Sequence, residues 1–344
     1  MAGGKFGAAL TRAWYAGSPW LLPLAPLGRI TASVASRRLK RFRARAEVPP
    51  VPVLVVGNIT VGGTGKTPLV IALCREAVAR GLNPVVISRG YGARPPSLPW
   101  RVTPDQRPAE AGDEPLLIAT ATGIPVIIDP QRRRALDAAL ALSPDLVISD
   151  DGLQHYALPR TLEIVVIDAA RGLGNGRCLP AGPLREPALR LQQSNWIIFN
   201  GGDAAGQSAA QSSVLPAMME KRVNMTLVPE LLTNAVSDEQ LSPAAFLARH
   251  PAVNAVAGIG NPGRFFRTLE AFGLAVTEHA FADHHAYTAA DLAMSDGAPI
   301  VMTEKDLIKC QPFVSERVWV LPVTAALPRG FFDDVFTQLF QDQT

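Results

Sequence analysis

Residues 53–68 read Val53-Leu54-Val55-Val56-Gly57-Asn58-Ile59-Thr60-Val61-Gly62-Gly63-Thr64-Gly65-Lys66-Thr67-Pro68. A short apolar stretch ends in a glycine-rich turn, and a helical pattern follows it from Leu69 to Val78. In such a strand–loop–helix unit the backbone N–H groups of the loop surround phosphate oxygens, and glycines permit the close approach. The run therefore predicts a phosphate-binding loop and a nucleoside triphosphate as its ligand.

The individual positions of this loop have expected roles. The ammonium of Lys66 is expected to reach the terminal phosphates, and the hydroxyl of Thr67 to hold Mg²⁺. The residues expected to surround the nucleotide are Thr60, Val61, Gly62, Gly63, Thr64, Gly65, Lys66 and Thr67. Thr60 replaces the glycine of the strict pattern, and Val61 stands where membrane-partitioning ATPases carry an extra lysine. An ordinary glycine-rich turn is the alternative, and the flanking strand and helix make it the weaker one.

The composition indicates a globular protein of one or two domains. The chain has 344 residues, of which 48% are hydrophobic, enough for a sizeable core. Its cysteines are Cys74, Cys178 and Cys310, an odd number at wide spacing. This pattern favours a reducing compartment over a disulfide framework, and it indicates no zinc site.

The basic character of the chain is concentrated at its N-terminus. Residues 1–47 hold nine Lys and Arg residues and one acid, Glu47, whereas the whole chain carries a net charge of only +3. Trp14, Tyr15 and Trp20 precede the cluster and are of the types favoured at a membrane–water interface. Residues 29–46 read as an amphipathic basic helix. Prolines interrupt the apolar stretch, so we predict neither a membrane-spanning helix nor a signal peptide.

Three interpretations of residues 1–47 compete. A lipid-surface anchor is favoured by the combination of basic, aromatic and leucine-rich sequence. A helix packed on the body of the protein comes second, and a nucleic-acid arm third, because the basic cluster stands alone. We therefore expect an anionic membrane surface as partner, and neither a nucleic acid nor an obligate protein partner.

Short apolar runs alternate with helical patterns through the rest of the chain. The first set lies at 84–88, 125–129, 145–149, 163–168 and 195–199. Fully apolar strands separated by helices predict a mostly parallel sheet covered on both faces, here a P-loop NTPase-like α/β/α domain over residues 48–222. Residues 200–222 read as a surface loop. Residues 223–344 are expected to form a smaller α/β domain, with 223–229 as an exposed strand and 331–340 as a helix.

Several polar motifs follow the predicted strand ends, where ligands of a parallel sheet gather. Asp150 and Asp151 end one strand and are expected to handle the metal, although an Asp-Asp-Gly turn is the alternative. Arg89 and Tyr91 lie between glycines in a loop suited to an anionic or sugar-like ligand. Arg185 stands on a proline-rich loop and is a candidate phosphate clamp.

Two further motifs leave their roles open. In Gly112-Asp113-Glu114-Pro115, Asp113 is either a helix cap or a base or metal ligand, with Pro115 fitting the first helical position. The second domain brings together His279, Asp283, His284 and His285, a possible metal cluster or a base oriented by a carboxylate. Residues 303–306 could face a nucleotide across a cleft between the domains.

Taken together, these motifs resemble the tetraacyldisaccharide 4′-kinase family of lipid A biosynthesis. The markers occur in order as Gly57-Asn58, Gly62-Gly63-Thr64-Gly65-Lys66-Thr67-Pro68, Ser88-Arg89-Gly90-Tyr91-Gly92, Gly112-Asp113-Glu114-Pro115, Asp150-Asp151-Gly152-Leu153-Gln154-His155, Leu179-Pro180-Ala181-Gly182-Pro183-Leu184-Arg185-Glu186, Gly260-Asn261-Pro262, Asp283-His284-His285 and Thr303-Glu304-Lys305-Asp306. Each is modest alone, but their succession is specific.

The resemblance implies two α/β/α domains joined by a short β-linker and a peripheral enzyme on the cytoplasmic face of the inner membrane. Such an enzyme would use ATP and Mg²⁺ to phosphorylate the 4′-hydroxyl of a tetraacylated disaccharide 1-phosphate. It also implies a catalytic pair of Asp113 and His284, assisted by Lys66 and Arg185. We expect the metal to be held by Thr67, Asp150, Asp151 and Glu114, and the lipid to be contacted by Asn58, Arg89, Tyr91 and Trp20.

Three other functions are compatible with the phosphate loop. They are a kinase for a small soluble metabolite, a membrane-associated ATPase that acts as a switch, and a nucleotide-binding module without catalysis. The basic aromatic N-terminus disfavours the first, and the absence of lysine at position 61 together with the Asp-His-His motif disfavours the second. The third would not need Asp113 and His284 together.

Overall fold

The computed structural model describes residues 2–43, 47–201 and 221–341. The end of the helix predicted at 29–46 and most of the loop predicted at 200–222 lie outside these ranges. The helices are α1 (Ala2–Ala16), α2 (Ala25–Arg43), α3 (Lys66–Ala79), α4 (Pro108–Ala111), α5 (Asp113–Thr122), α6 (Arg132–Leu140), α7 (Pro243–Arg249), α8 (Pro262–Ala271), α9 (Glu304–Cys310) and α10 (Phe331–Gln341). Short 3₁₀ helices lie at Pro19–Leu24, Ala188–Gln193, Ala289–Leu292 and Gln311–Phe313.

The strands of the described part fall into two sheets. They are β1 (Val53–Gly57), β2 (Pro84–Ser88), β3 (Trp100–Val102), β4 (Val126–Ile128), β5 (Leu146–Asp150), β6 (Leu162–Asp168), β7 (Trp196–Asn200), β8 (Arg222–Pro229), β9 (Leu232–Asn234), β10 (Gln240–Leu241), β11 (Ala252–Ala257), β12 (Ala275–Ala280), β13 (Ile300–Met302), β14 (Val318–Val320) and β15 (Val323–Ala326). The larger sheet has the order β15-β8-β7-β6-β1-β5-β2-β4-β3, and the smaller one β10-β9-β14-β13-β11-β12.

The larger sheet is mostly parallel, as predicted. Strand β1 lies at its centre between β5 and β6, and all three run in the same direction. Every residue of β1, β2 and β5 is buried, because helices cover both faces and the sequence supplies continuous apolar runs. The α/β fold class is therefore confirmed. The carboxyl ends of these strands meet at one edge, and the predicted polar motifs follow them there.

The N-terminal segment packs on the larger domain and also exposes apolar side chains. Trp14 donates its indole N–H to the carbonyl of Pro180 at 3.0 Å, and Leu21 is fully buried. Large apolar side chains that remain exposed on the same segment are those of Trp20, Leu22, Leu27, Ile30 and Val34. Across the described residues, no helix combines the length and the apolar content that crossing a bilayer requires.

The smaller sheet forms the core of the second domain. Strands β11, β12, β13 and β14 are parallel, and β9 and β10 add an antiparallel edge. Phe246, Phe266 and Trp319 fill the space between this sheet and helices α7 and α8. Short apolar runs of the sequence at 254–260, 300–303 and 318–322 overlap β11, β13 and β14 of this sheet.

The chain returns to the larger domain at its C-terminal end, which differs from the predicted assignment of residues 223–344 to the second domain. Strand β8 pairs with β7 in parallel, and β15 pairs with β8 antiparallel, so both extend the larger sheet. Helix α10 buries Phe331, Val335 and Leu339 in the same core as Leu69 of α3. The chain therefore passes from the larger sheet to the smaller one after β8, and it returns to the larger sheet at β15.

This placement makes the C-terminal helix a stabilising element of the larger domain. Replacing Phe336, which is buried and lies under the guanidinium of Arg80, with Ala should lower the free energy of unfolding by about 3–5 kcal/mol. Urea denaturation followed by fluorescence measures the change. Thr337→Ala, on the exposed face of the same helix, is the matched control and should change little. A loss for Phe336→Ala no larger than that of the control would contradict this packing.

Candidate active site

The phosphate loop is held in shape by side chains behind it. Gly65 has a φ of 88°, a left-handed conformation that glycine adopts without strain, and α3 begins at the next residue. Asn200 donates its side-chain N–H to the carbonyl of Thr64 at 3.0 Å, and Asn58 donates to the carbonyl of Gly62 at 3.3 Å. These bonds occupy carbonyl groups and leave backbone N–H groups of the loop directed at a ligand.

Three residues expected at the ligand lie elsewhere. Asn58, expected to contact the lipid, is fully buried behind the loop. Val61, expected at the nucleotide, donates its N–H to the carbonyl of Pro183 at 2.9 Å and cannot donate it to a phosphate. Thr60 is buried and forms a bridge with Leu184. The part of the loop that lines the cavities therefore begins at Gly62.

Lys66 and Arg185 converge on one carboxylate. The Nζ atom of Lys66 lies 3.5 Å from Oδ1 of Asp151, and Nη1 of Arg185 lies 3.3 Å from Oδ2. Burial alone would raise the pKa of Asp151, but these two cations outweigh it and lower the pKa to about 2. Asp151 is therefore ionised, and the two cations stand together at the mouth of the phosphate loop.

Asp150 has the opposite environment. It is fully buried, and its Oδ2 accepts a hydrogen bond from the hydroxyl of Ser88 at 3.3 Å. Burial, together with the negative charges of Glu114 and Asp151, raises its pKa to about 7. Its Oδ1 is buried and has no hydrogen-bond partner within the described ranges. A bound cation would relieve this arrangement.

A histidine of the second domain meets an aspartate of the first. The Nδ1 atom of His284 lies 3.2 Å from Oδ2 of Asp113, and the ring of Tyr91 lies 5.0 Å from the imidazole, centroid to centroid. Asp113 is the first residue of α5, so Pro115 is the third helical residue rather than the first. His284 has a φ of 60°, which is unfavourable for a residue with a side chain and is typical of functional sites.

Lys305 joins two acids that come from different domains. Its Nζ atom lies 2.9 Å from Oε1 of Glu114 and 3.2 Å from Oδ1 of Asp283. Burial would lower the pKa of Lys305, but the two carboxylates raise it above its usual value. Glu114, expected as a metal ligand, is therefore paired with a cation. Thr303, Glu304 and Lys305 do line the cleft, as the sequence suggested, whereas Asp306 is fully buried.

The second-domain histidines do not gather around one point. His279 contacts the side chain of Asn254 at 2.9 Å, and His285 contacts Asp291 at 3.3 Å. Within residues 2–43, 47–201 and 221–341, no group of three or more His, Cys, Asp or Glu side chains is arranged to hold a metal ion. Of the two interpretations of this cluster, the arrangement favours a base oriented by a carboxylate, and among His279, His284 and His285 it is His284 that lines the cavity beside Lys66.

Two cavities meet at the phosphate loop. One, of about 460 Å³, is lined by Gly62, Gly63, Lys66, Ser88, Arg89, Tyr91, Glu114, Pro115, Asp150, Asp151, Gln154, His155, Arg185, Asp283 and His284. The other, of about 220 Å³, runs from Gly63–Pro68 between the domains. The first holds the reactive side chains and is the candidate acceptor site. The second is the candidate nucleotide site. Trp20 lines neither of them.

His155 also lines the acceptor cavity, and its charge state is set by its surroundings. Burial, together with the positive charges of Arg132 and Arg89, lowers its pKa to about 4. The ring is therefore neutral at neutral pH and can accept or donate a hydrogen bond. The sequence showed His155 only as part of a longer motif, and assigned it no role.

The second domain touches the phosphate loop directly. The carbonyl of Gly260 accepts a hydrogen bond from Arg171 at 2.9 Å, and Arg264 donates to Asn200 at 3.0 Å. A Cβ atom on Gly260 would lie 2.5 Å from the backbone nitrogen of Gly63. The position of Gly260 within a recognised motif was the only sequence signal for this contact, since Arg171 and Arg264 belong to no pattern.

Comparison with known proteins gives one consistent result. A family model described as LpxK, tetraacyldisaccharide-1-P 4′-kinase, matches residues 19–341. A tetraacyldisaccharide 4′-kinase of Alcanivorax borkumensis is 54% identical over 96% of this chain and 97% of its own length. One of Pseudomonas aeruginosa is 51% identical over 95% of this chain and 96% of its own. A crystal structure of the "apo" form of LpxK from Aquifex aeolicus in complex with ATP has a TM-score of 0.71 and 27% identity, covering 94% of this chain and 99% of that one.

The Gly63–Gly260 contact can be tested with a single methyl group. Gly260→Ala should weaken nucleotide binding by about 5- to 150-fold, because relieving such an overlap typically costs about 1–3 kcal/mol. Isothermal titration calorimetry with a non-hydrolysable ATP analogue measures the affinity. Gly263→Ala is the matched control, since its Cβ would meet only the end of the flexible Arg267 side chain, at 3.4 Å. Equal affinities for the two variants would show that the domains need not approach so closely.

Proposed function

The chain belongs to the tetraacyldisaccharide-1-P 4′-kinase family, and we propose that it transfers the γ-phosphate of ATP to the 4′-hydroxyl of tetraacyldisaccharide 1-phosphate. The product is a bisphosphorylated precursor of lipid A. The observation that carries the proposal is that one cavity holds both a phosphate-binding cation, Lys66, and an oriented base, His284.

The pairing of His284 with Asp113 suits the deprotonation of a hydroxyl. A sugar hydroxyl is a weak nucleophile, and a positioned base removes its proton as the phosphorus–oxygen bond forms. With Nδ1–H donated to Asp113, the lone pair of Nε2 is left to take that proton. Tyr91 packs against the imidazole and Arg89 lines the same cavity, where both can position the sugar.

Positive charge gathers where the phosphoryl group would transfer. Lys66 lies beside the loop N–H groups, and Arg185 reaches the same region from its proline-rich loop. These cations compensate the charge of the triphosphate as the terminal phosphate leaves. Because the base belongs to the second domain, reaction requires the domains to be closed, which also excludes water from the transferring phosphate.

The surroundings of the loop fit a magnesium ion. Oδ1 of Asp150 is buried without a hydrogen-bond partner in the described part of the chain, and Oδ1 of Asp151 has only the ammonium of Lys66 nearby, at 3.5 Å. Carboxylate oxygens are the ligands that Mg²⁺ prefers. Asp150, Asp151 and the hydroxyl of Thr67 would hold the ion. When bound, the ion adds positive charge at the phosphates.

The N-terminal segment supports action at the cytoplasmic face of the inner membrane. Trp20, Leu27 and Ile30 are each half exposed or more on a segment that also carries the basic cluster. Apolar side chains next to lysines and arginines bind anionic lipid surfaces. The acylated substrate would then be taken from the membrane while its sugar enters the acceptor cavity.

The role of His284 can be separated from that of its neighbour. His284→Ala should lower kcat for lipid phosphorylation by about 100- to 10,000-fold, the usual contribution of a general base. Transfer of ³²P from γ-labelled ATP to detergent-dispersed tetraacyldisaccharide 1-phosphate measures it. His285→Ala is the matched control, because His285 contacts Asp291 instead of the cavity. Equal losses in the two variants would remove His284 from its proposed role.

The membrane role of the N-terminal segment has its own test. Trp20→Ser combined with Ile30→Ser should lower binding to vesicles containing anionic lipid by about 100-fold or more, since each buried side chain contributes about 1.5–3 kcal/mol. Vesicle flotation measures the bound fraction. The control combines Val78→Ser with Leu189→Ser, which removes two exposed apolar side chains elsewhere. Undiminished binding of the N-terminal variant would exclude this surface as the contact.

A further inference from the structure

The candidate nucleotide cavity has apolar walls beyond the phosphate loop. Leu117 of α5, Leu227 of β8 and Ile259, Phe265 and Leu321 of the second domain line it together with Gly63–Pro68. The phosphates of a nucleotide belong at the loop, where the backbone N–H groups and Lys66 lie. The flat base is the part of the ligand that suits the apolar walls.

Polar side chains in such a cavity fix the identity of the base, and four acids line it. Glu114 and Asp283 are paired with Lys305, at 2.9 and 3.2 Å. Asp168 accepts hydrogen bonds from the backbone N–H groups of Ala170 and Arg171, at 3.0 and 3.1 Å. These three carboxylates therefore already serve to hold the protein together. The fourth acid is Glu304.

Only one of the two carboxylate oxygens of Glu304 accepts a hydrogen bond from the described part of the protein. Its Oε2 accepts the N–H of Val323 at 3.2 Å, and its Oε1 has no hydrogen-bond partner in the described parts of the chain. Burial raises its pKa above the usual value, and the N–H of Val323 offsets this only in part. Oε1 of this partly buried carboxylate is therefore free to accept a hydrogen bond from a donor that enters the cavity.

The strand pair beside Glu304 offers no free backbone N–H group to a nucleotide base at Val323 or Pro229. Val323 of β15 stands opposite Pro229 of β8. The N–H of Val323 is occupied by Glu304, and proline has none. At this point of the cavity wall, recognition of a base by a backbone donor is therefore blocked. The free carboxylate oxygen of Glu304 is the polar group that remains.

We propose that Glu304 selects adenine, by accepting a hydrogen bond from its exocyclic amine. Guanine in the same pose would present a carbonyl oxygen to the carboxylate, and two acceptors repel each other. This inference rests on the proposed function, because it takes the cavity to hold the base of a purine nucleoside triphosphate. It adds a residue that determines which nucleotide is used as phosphate donor.

The test compares the affinities of two nucleotides for the full chain, without lipid. Isothermal titration calorimetry gives the dissociation constants of non-hydrolysable ATP and GTP analogues for the wild type and for Glu304→Gln. An amide can donate to the guanine carbonyl, so the preference for adenine should fall about 10- to 100-fold, the effect of one hydrogen bond to a charged group. The same fall is expected in the ratio of kcat/KM for ATP and GTP.

Glu230→Gln is the matched variant. It removes the same charge from a neighbouring acid that interacts with the side chain of Thr324 and does not line the cavity, and it should leave the preference unchanged. Glu304→Asp keeps the negative charge but draws the carboxylate back by one methylene group. This variant should bind the ATP analogue more weakly and should not bind the GTP analogue more tightly. Thermal unfolding checks that each variant is folded.

An unchanged preference in Glu304→Gln, or a changed preference in Glu230→Gln alone, would overturn the proposal. Because binding is measured without an acceptor, these outcomes do not depend on the lipid. A wild type that binds the ATP analogue tightly but phosphorylates no lipid would contradict the proposed function and leave the role of Glu304 standing.

Discussion

The site depends on a backbone contact between the two domains. Gly260 approaches Gly63 so closely that a single Cβ atom would not fit, and Arg171, also of the first domain, donates a hydrogen bond to the carbonyl of Gly260. With this contact in place, the segments that carry Lys305 and His284 also reach the first domain, at Glu114 and Asp113. The phosphate loop alone would bind a nucleotide, and the second domain adds the base that makes transfer possible.

Charge is distributed unevenly among the carboxylates of this cleft. The two neighbouring aspartates differ, since Lys66 and Arg185 keep Asp151 ionised whereas burial raises the pKa of Asp150 to about 7. Lys66 and Arg185 line the acceptor cavity together with the neutral His155 and the aromatic Tyr91, and Lys66 also lines the nucleotide cavity. A triphosphate with its metal ion and an uncharged sugar hydroxyl would each meet a suitable environment.

Local patterns in the sequence predicted much of the fold and part of the site. Residues 53–79 form the strand, loop and helix that their apolar run, glycines and periodicity indicated, and the motifs with Asp113, Asp150 and Arg185 do line one cleft. These features are encoded within a few neighbouring residues. The pairing of Asp113 with His284 came from the family resemblance, because 171 positions separate the two residues.

Other features could not be read from local patterns. The strand at Val323–Ala326 is short and ordinary, and nothing in it indicates that the chain returns to the larger sheet. Arg171 and Arg264 are single arginines whose partners lie in the other domain. Val61 belongs to the loop motif, yet its N–H is taken by Pro183 from a distant loop. Each of these depends on which distant segments pack together.

In the proposed reaction, phosphate bound at Lys66 is passed to a sugar hydroxyl activated by His284. The most direct measurement is the structure of the product. Wild-type protein would be incubated with ATP, magnesium and detergent-dispersed tetraacyldisaccharide 1-phosphate, and the lipid analysed by ³¹P–¹H correlation NMR. We expect a second phosphate whose signal correlates with the proton at the 4′ carbon. Release of inorganic phosphate with unchanged lipid, or a phosphate at another position, would contradict it.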